Sequence, residues 1–363
     1  MQTSKLLLAI LALAAAASAQ TRTVPAIADF NEGNDLTSYP FGRTAFRAQQ
    51  LFESAYLAQT SAILTGIEYR ADNDNSASKP AVTINNVQFD LSETTVGTAA
   101  MSTTYAANIT GAVTTVYTGS VSLPAYASTS GGIAPWGPLL PFNVPFVLTT
   151  ANGNLLVDAT ATGANASSGY TLDSSLPGGV TRALGQSGPT VNQLERLQLL
   201  VSANGPTQGR FSGLIPGGSV IVFAQASTTQ YSGAMWFGLS KYPTPVDLGS
   251  VGAPNNFVYV DNLIDQGFTM TGGIAFRASI TLPIPNVTGL LGVSVYSQAV
   301  VAEAAANALG FVTTNGQELT IGESGSHPLR MVRGTDPAAA TGFFNYTSGI
   351  LGGPVVRFHG VFN

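Results

Sequence analysis

The sequence predicts an all-β protein, with two consecutive antiparallel β-sandwich domains of jelly-roll-like type following a signal peptide. Three observations predict it. Apolar residues recur at a period of two, and long stretches of period 3.6 are missing. Gly- and Pro-bearing turns separate the runs, and Thr and Val are abundant within them. The chain left after the leader is long enough for two domains.

The leader is read first. Lys5 precedes an uninterrupted apolar run from Leu6 to Ala17, and Ala17-Ser18-Ala19 fits the small-x-small cleavage rule. Residues 1–19 are therefore expected to be removed, leaving a secreted chain that begins at Gln20 and works outside the cell or at its surface. The run is about a dozen residues, short of the roughly 20 that span a bilayer. Nothing later is longer or more apolar, so neither membrane insertion nor a membrane anchor is expected.

Within the mature chain the clearest strand runs from Ile274 to Leu282. It has Ile274, Phe276, Ala278, Ile280 and Leu282 on one face and Ala275, Arg277, Ser279 and Thr281 on the other. Rougher strands are expected at 63–70, 81–91, 114–123, 155–162, 196–201, 219–224, 234–239, 291–301 and 355–362. In 81–91 the apolar parity switches from Val82 and Ile84 to Val87, Phe89 and Leu91, which predicts a bulge near Asn85-Asn86. Turns are read at Asn152-Gly153, Pro177-Gly178-Gly179, Asn204-Gly205-Pro206, Pro216-Gly217-Gly218 and Asn315-Gly316. The alanines of 300–309 allow either a short helical turn ended by Gly310 or a strand that runs into a loop. The Gly-, Pro- and Ser-rich stretch 175–189 is the expected junction. It separates an N-terminal domain over 20–185 from a second over 190–322, with 323–363 a C-terminal extension carrying a final strand.

Composition narrows the function. Lys and Arg number 14 and Asp and Glu 19, so charged residues make up 9% of the chain against roughly 25% in ordinary soluble proteins. A net charge of −5 without a basic stretch excludes nucleic acid and anionic membrane surfaces as partners, since both need clustered Lys and Arg. With no cysteine there is no disulfide, thiol nucleophile or iron–sulfur cluster. Cohesion must come from apolar burial.

Several segments carry a resemblance. Arg47-Ala48-Gln49-Gln50-Leu51-Phe52, the run from Ile63 to Asp72, Asn143-Val144-Pro145-Phe146, and the run from Asn152 to Asp158 resemble the N-terminal part of uncharacterised secreted proteins of planctomycete-type bacteria. Pro245-Val246-Asp247-Leu248-Gly249, Gly252-Ala253-Pro254, Leu282-Pro283-Ile284-Pro285-Asn286, Leu291-Gly292-Val293 and Thr314-Asn315-Gly316 are similar to the module that follows in them. The resemblance spans roughly residues 30–322, and its specificity lies in the order of the segments. It implies export and two jelly-roll-like sandwiches, and no activity comes with it. Many relatives place a Cys just after the Gly-x-Pro turn; Asn255-Asn256 stands here, so the disulfide it would make is absent.

Candidate chemistry is sparse. The only histidines are His327 and His359, too few and too far apart for a zinc site, and His359 falls on the strand face opposite Val356, Phe358 and Phe362. Gly322-Glu323-Ser324-Gly325-Ser326 lacks the final Gly of a nucleophile elbow and reads as a loop. A glycosidase needs two carboxylates, for which Asp29, Glu32, Asp35, Glu53 and Glu68 are candidates. Asp72-Asn73-Asp74-Asn75 is the densest set of oxygen donors; it suits calcium, although turn preference alone accounts for its composition. Trp136, in a Pro/Gly loop with Tyr126 upstream, is the candidate sugar platform, whereas Trp236 in Met235-Trp236-Phe237 is expected in the core. The Asn-x-Ser/Thr matches at Asn108, Asn165, Asn286 and Asn345 are what chance gives in a chain so rich in Ser and Thr. No cofactor is required, with calcium the possible exception.

The expected function is therefore that of a secreted, non-catalytic structural or surface/matrix protein acting through packing or self-association. A carbohydrate-binding module with an extracellular glycan partner, or a polysaccharide-active enzyme using two carboxylates, are the alternatives. The terminal strand 355–362 either closes its own sheet or is lent to a neighbouring copy.

Overall fold

The computed structural model describes residues 20–29, 32–73, 78–127, 133–162, 169–192, 197–201, 209–211, 213–272, 275–323, 328–345 and 352–363. The expected signal peptide, Asp74, Asn75 and His327 lie outside the described residues. The chain is nearly all β, arranged in several antiparallel sheets, and it divides into two compact units. Unit 1 comprises Met1–Leu176 and Ser326–Asn363, and unit 2 comprises Pro177–Gly325.

Unit 1 begins with β1 (Gln20–Val24), β2 (Asp35–Thr37), β3 (Phe46–Phe52), β4 (Ser61–Tyr69), β5 (Val82–Thr94), β6 (Val113–Leu123), β7 (Leu140–Thr149), β8 (Asn154–Ala161) and β9 (Leu172–Ser175). Unit 2 holds β10 (Gly178–Leu184), β11 (Gln198–Val201), β12 (Gly209–Phe211), β13 (Ser219–Ala226), β14 (Ser232–Gly238), β15 (Lys241–Asp247), β16 (Phe257–Val260), β17 (Ile264–Thr269), β18 (Phe276–Pro283), β19 (Ser294–Ala302) and β20 (Phe311–Glu323). The chain then returns to unit 1 with β21 (Leu329–Gly334), β22 (Phe343–Phe344), β23 (Gly353–Pro354) and β24 (Val356–Phe362).

In unit 1 a four-stranded sheet, β1-β24-β4-β7, and a six-stranded sheet, β22-β21-β3-β8-β5-β6, share one apolar core. The alternation seen in the sequence explains which residues face it. Val356, Phe358 and Phe362 of β24, Leu64 and Ile67 of β4, and Phe89 and Leu91 of β5 all point inward. Phe52 meets Phe358 edge to face, their ring centroids 5.1 Å apart. A third sheet, β2-β9-β23, is built from short pieces distant in sequence.

Unit 2 has the six-stranded sheet β12-β10-β20-β19-β14-β17, the three-stranded sheet β11-β13-β18, and the pair β15-β16. Its separate core includes Val220, Val222, Met235, Phe237, Ile280, Ala299, Leu319 and Ile321.

The bulge expected near Asn85-Asn86 is present. The pairing of β5 with β6 slips between Ile84 and Val87, and Asn86 takes a positive φ of 53°, a conformation Asn tolerates better than most residues. The slip restores parity, so that Ile84 and Val87 both reach the core. Residues 300–309 follow the strand-into-loop alternative, since β19 ends at Ala302 and turns follow.

Three expectations are corrected. The stretch 323–363 is more than an appended extension: β21 pairs with β3, and β24 lies between β1 and β4. The junction stretch 175–189 contains a strand, β10, hydrogen-bonded to β20. Trp236 is only half-buried, because Met235 and Phe237 occupy the inward positions and a strand alternates its faces.

Candidate functional site

Among the described residues, the most concentrated ionisable chemistry lies inside unit 1. Five separate parts of the chain meet there: residues 28–29 with 32–34, the end of β4 with 70–73 and 79, 134–136, β9, and the start of β24. Arg70 is fully buried one residue past β4 and donates from Nε and Nη2 to Asp173 Oδ2 on β9. Its Nη1 donates to the carbonyl of Ala28 at 2.7 Å. The backbone N–H of Gly33 donates to Asp173 Oδ1 at 2.8 Å. Glycine is required at that position, because a Cβ on Gly33 would collide with Asp173 Oδ1 and the Ser174 carbonyl. The backbone joins the same residues: Asp173 N–H donates to the Arg70 carbonyl, and Val355 N–H to the Asp173 carbonyl.

Glu32 is also buried, and its two carboxylate oxygens accept from the N–H groups of Asn73 at 2.8 Å and Ala134 at 3.0 Å. Lys79 Nζ stands 4.0 Å from Asp72 Oδ2, both side chains being buried. One oxygen from each of Glu32, Asp72 and Asp173 falls within 4.8 Å of the other two. Arg70 and Lys79 thus face three carboxylates in a water-poor setting. Burial pushes the Asp173 carboxyl up to about 7, helped by the neighbouring Glu32 charge and opposed by Arg70 and the Gly33 N–H.

A second, outward-facing cluster adjoins this one through Trp136. The Arg70 guanidinium carbon lies 5.1 Å from the Trp136 ring centroid and that of Arg357 4.1 Å, so the indole is engaged by two cations. Arg357 of β24 reaches Asp29 at 3.1 Å and Glu68 at 3.7 Å, and His359 Nε2 is 3.0 Å from Glu68 Oε2. The strand register dictates the grouping, because Thr23, Arg357 and Glu68 form one row across β1, β24 and β4.

A third polar set covers the outer face of the six-stranded sheet. Asp158 of β8 accepts from Arg47 Nη2 at 2.7 Å and Gln49 Nε2 at 2.8 Å. Asp90 lies directly opposite Asp158 in the register and accepts from Gln88 and Thr115 instead, which offsets the repulsion expected of two facing carboxylates.

These placements distribute the sequence candidates. Of the proposed calcium ligands, Asp72 and Asn73 lie in the buried cluster, Asn73 offering its N–H to Glu32. Of the five candidate acids, Glu32 joins that cluster, and Asp29 and Glu68 meet around Arg357. Glu53 accepts from the Thr98 hydroxyl at 2.7 Å, and Asp35 binds the N–H of Leu36. Trp136 and Tyr126 flank the buried cluster through backbone bridges to Arg70 and Lys79. Tyr126 also packs partly against the core. Asp173 and Arg70 were not singled out by sequence reasoning. The available signal was a lone Arg ending an apolar strand in a chain where charge is scarce.

Chemically, the buried cluster is an ion-paired tie between distant segments, with oxygens spaced closely enough to admit a small hard cation. No family model, no curated protein and no solved structure matches the chain.

Proposed function

We propose that this chain is an exported, non-catalytic structural or surface/matrix protein, built from two jelly-roll-like sandwiches and acting by packing against its own copies. One observation carries this reading: five of the chain's few basic side chains are turned upon its own carboxylates while aliphatic side chains stand exposed. Arg47, Arg70, Lys79, Lys241 and Arg357 all lie within ion-pair distance of the chain's own carboxylates, and Arg330 is buried on carbonyls of Thr98 and Ala99. Val113, Val144, Val147, Leu263 and Ile264 are exposed. Such a surface presents little charge repulsion to a neighbouring copy and offers strand edges for pairing. Electron microscopy of the purified mature chain is expected to show ordered polymers or arrays. Dispersed single particles at every concentration would remove the reading.

Calcium binding is a second reading, favoured by the close approach of Glu32, Asp72 and Asp173 oxygens. In it the ion tightens the tie between segments and supports the same structural role. Calcium added to chelator-treated protein is then expected to raise Tm, by about 2.7 kcal/mol of stabilisation at a hundredfold excess over Kd. An unchanged Tm would leave Arg70 and Lys79, among the described residues, as the counter-charges.

A further inference from the structure

We propose that β17 is the self-association edge, pairing antiparallel with β17 of a second copy so that two six-stranded sheets become one of twelve. The inference rests on the self-association reading and names the surface that performs it. β17 is the outermost strand of its sheet. It pairs with β14 on one side, and among the described residues no strand pairs with its other side. Its residues are exposed except for Phe268, which is half-buried against the core of unit 2.

The apolar surface is concentrated at the same place. Leu239, Leu263 and Ile264 are 65%, 62% and 64% exposed, among the most exposed large aliphatic residues of the described chain. The register sets Phe237 opposite Ile264, so Leu239, two residues on, lies diagonal to Ile264 on the same face. Three bulky aliphatic side chains at one strand edge are the type of surface that soluble proteins usually cover.

The sequence of the edge selects a copy of itself as the occupant. Residues 263–269 read Leu-Ile-Asp-Gln-Gly-Phe-Thr, with one charge. In a two-fold pairing centred on Gln266, Asp265 falls opposite Gly267, so the two acidic groups do not face each other. Ile264 then falls opposite Phe268. The aliphatic side chain of each copy would cover the half-buried ring of the other, extending the apolar face of each core across the joint. Centring on Asp265 instead would set two carboxylates directly opposite, so charge disfavours that register.

The test exploits the absence of native cysteine. In the full mature chain, Gln266→Cys places one thiol at the two-fold centre, where facing Cα atoms of antiparallel strands lie within disulfide range. Mild oxidation is expected to give a covalent dimer from Gln266→Cys and none from Ala151→Cys, an exposed control in the turn that follows β7. Adding Ile264→Lys to the cysteine variant should abolish the cross-link, and in the cysteine-free chain should weaken association by roughly tenfold or more. Circular dichroism of each variant confirms that it remains folded. Assembly that persists without a Gln266→Cys cross-link and ignores Ile264→Lys would overturn the β17 edge while leaving self-association intact. A chain that is monomeric throughout would overturn both.

Discussion

Truncation after Pro354 is expected to abolish the folding of unit 1 while leaving the unfolding transition of unit 2. β24 occupies an interior position in its sheet, hydrogen-bonded to β1 on one side and β4 on the other. Val356, Phe358 and Phe362 insert from it into the core. Burial of a large apolar side chain is worth roughly 1.5–3 kcal/mol, so these three contribute about 5–9 kcal/mol, against a net stability of about 5–15 kcal/mol for an ordinary domain. Removing the strand also exposes Leu64 and Ile67 and orphans both neighbouring ladders. Thermal unfolding followed by calorimetry should show one transition fewer than in the intact chain. Two retained transitions of native enthalpy would show that the last strand is dispensable, the behaviour of a segment lent to a neighbour.

The second large effect belongs to Arg70. Arg70→Met should destabilise unit 1 by about 3–5 kcal/mol, because it strands the buried Asp173 carboxylate beside Glu32 with its main counter-charge gone. Arg70→Met combined with Asp173→Leu should recover only part of that loss, since replacing the pair by apolar side chains costs little but leaves the Gly33 N–H and the Ala28 carbonyl without their side-chain partners. Urea denaturation of the two single variants and the double closes the cycle. The pH dependence gives an independent readout. Asp173 has an ordinary value of 3.8 and is raised to about 7 in the folded chain, chiefly by burial. The folded state therefore binds the proton more tightly than the unfolded one between those values. The contribution of Asp173 to stability is fully present below 3.8 and is lost as pH rises through about 7. In the double variant this part of the pH dependence should vanish. A slope unchanged from the native chain would mean that another group titrates there.

How much of this was legible in sequence depends on whether burial followed apolarity. β4, β5, β8, β13, β18 and β24 were readable because Val, Ile, Leu and Phe alternate along them. β20 was not, although it is 13 residues long. Its buried Thr313, Thr314, Asn315, Gln317 and Thr320 sit at positions where a pattern reader expects solvent. Their polar atoms are satisfied by one another and by nearby backbone: Thr314 Oγ1 donates to Ala299 and Asn315 carbonyls, and Gln317 Nε2 to the Leu199 carbonyl. β3 was missed as a strand for the same reason, with Gln49 and Gln50 buried among its apolar residues.

The candidate site was half legible. Asp72-Asn73 and Glu32 drew notice as oxygen donors, but Arg70 and Asp173 lie 103 positions apart, and only the docking of β9 beside the end of β4 brings them together. No local spacing encodes such a pair. What the sequence did offer was scarcity. In a chain with 9% charged residues, an Arg beside a strand of buried aliphatics needs a partner, and the partner must come from elsewhere in the fold.

The proposed role rests on a charge-poor surface through which copies of the chain would pack together. Sedimentation velocity of the purified chain from Gln20 onward, over a wide concentration range, tests this most directly. The sedimentation coefficient should climb with concentration and change little between low and high salt, because apolar contact and strand pairing, unlike ion pairs, are not screened. A single slow species whose coefficient is independent of concentration would contradict it.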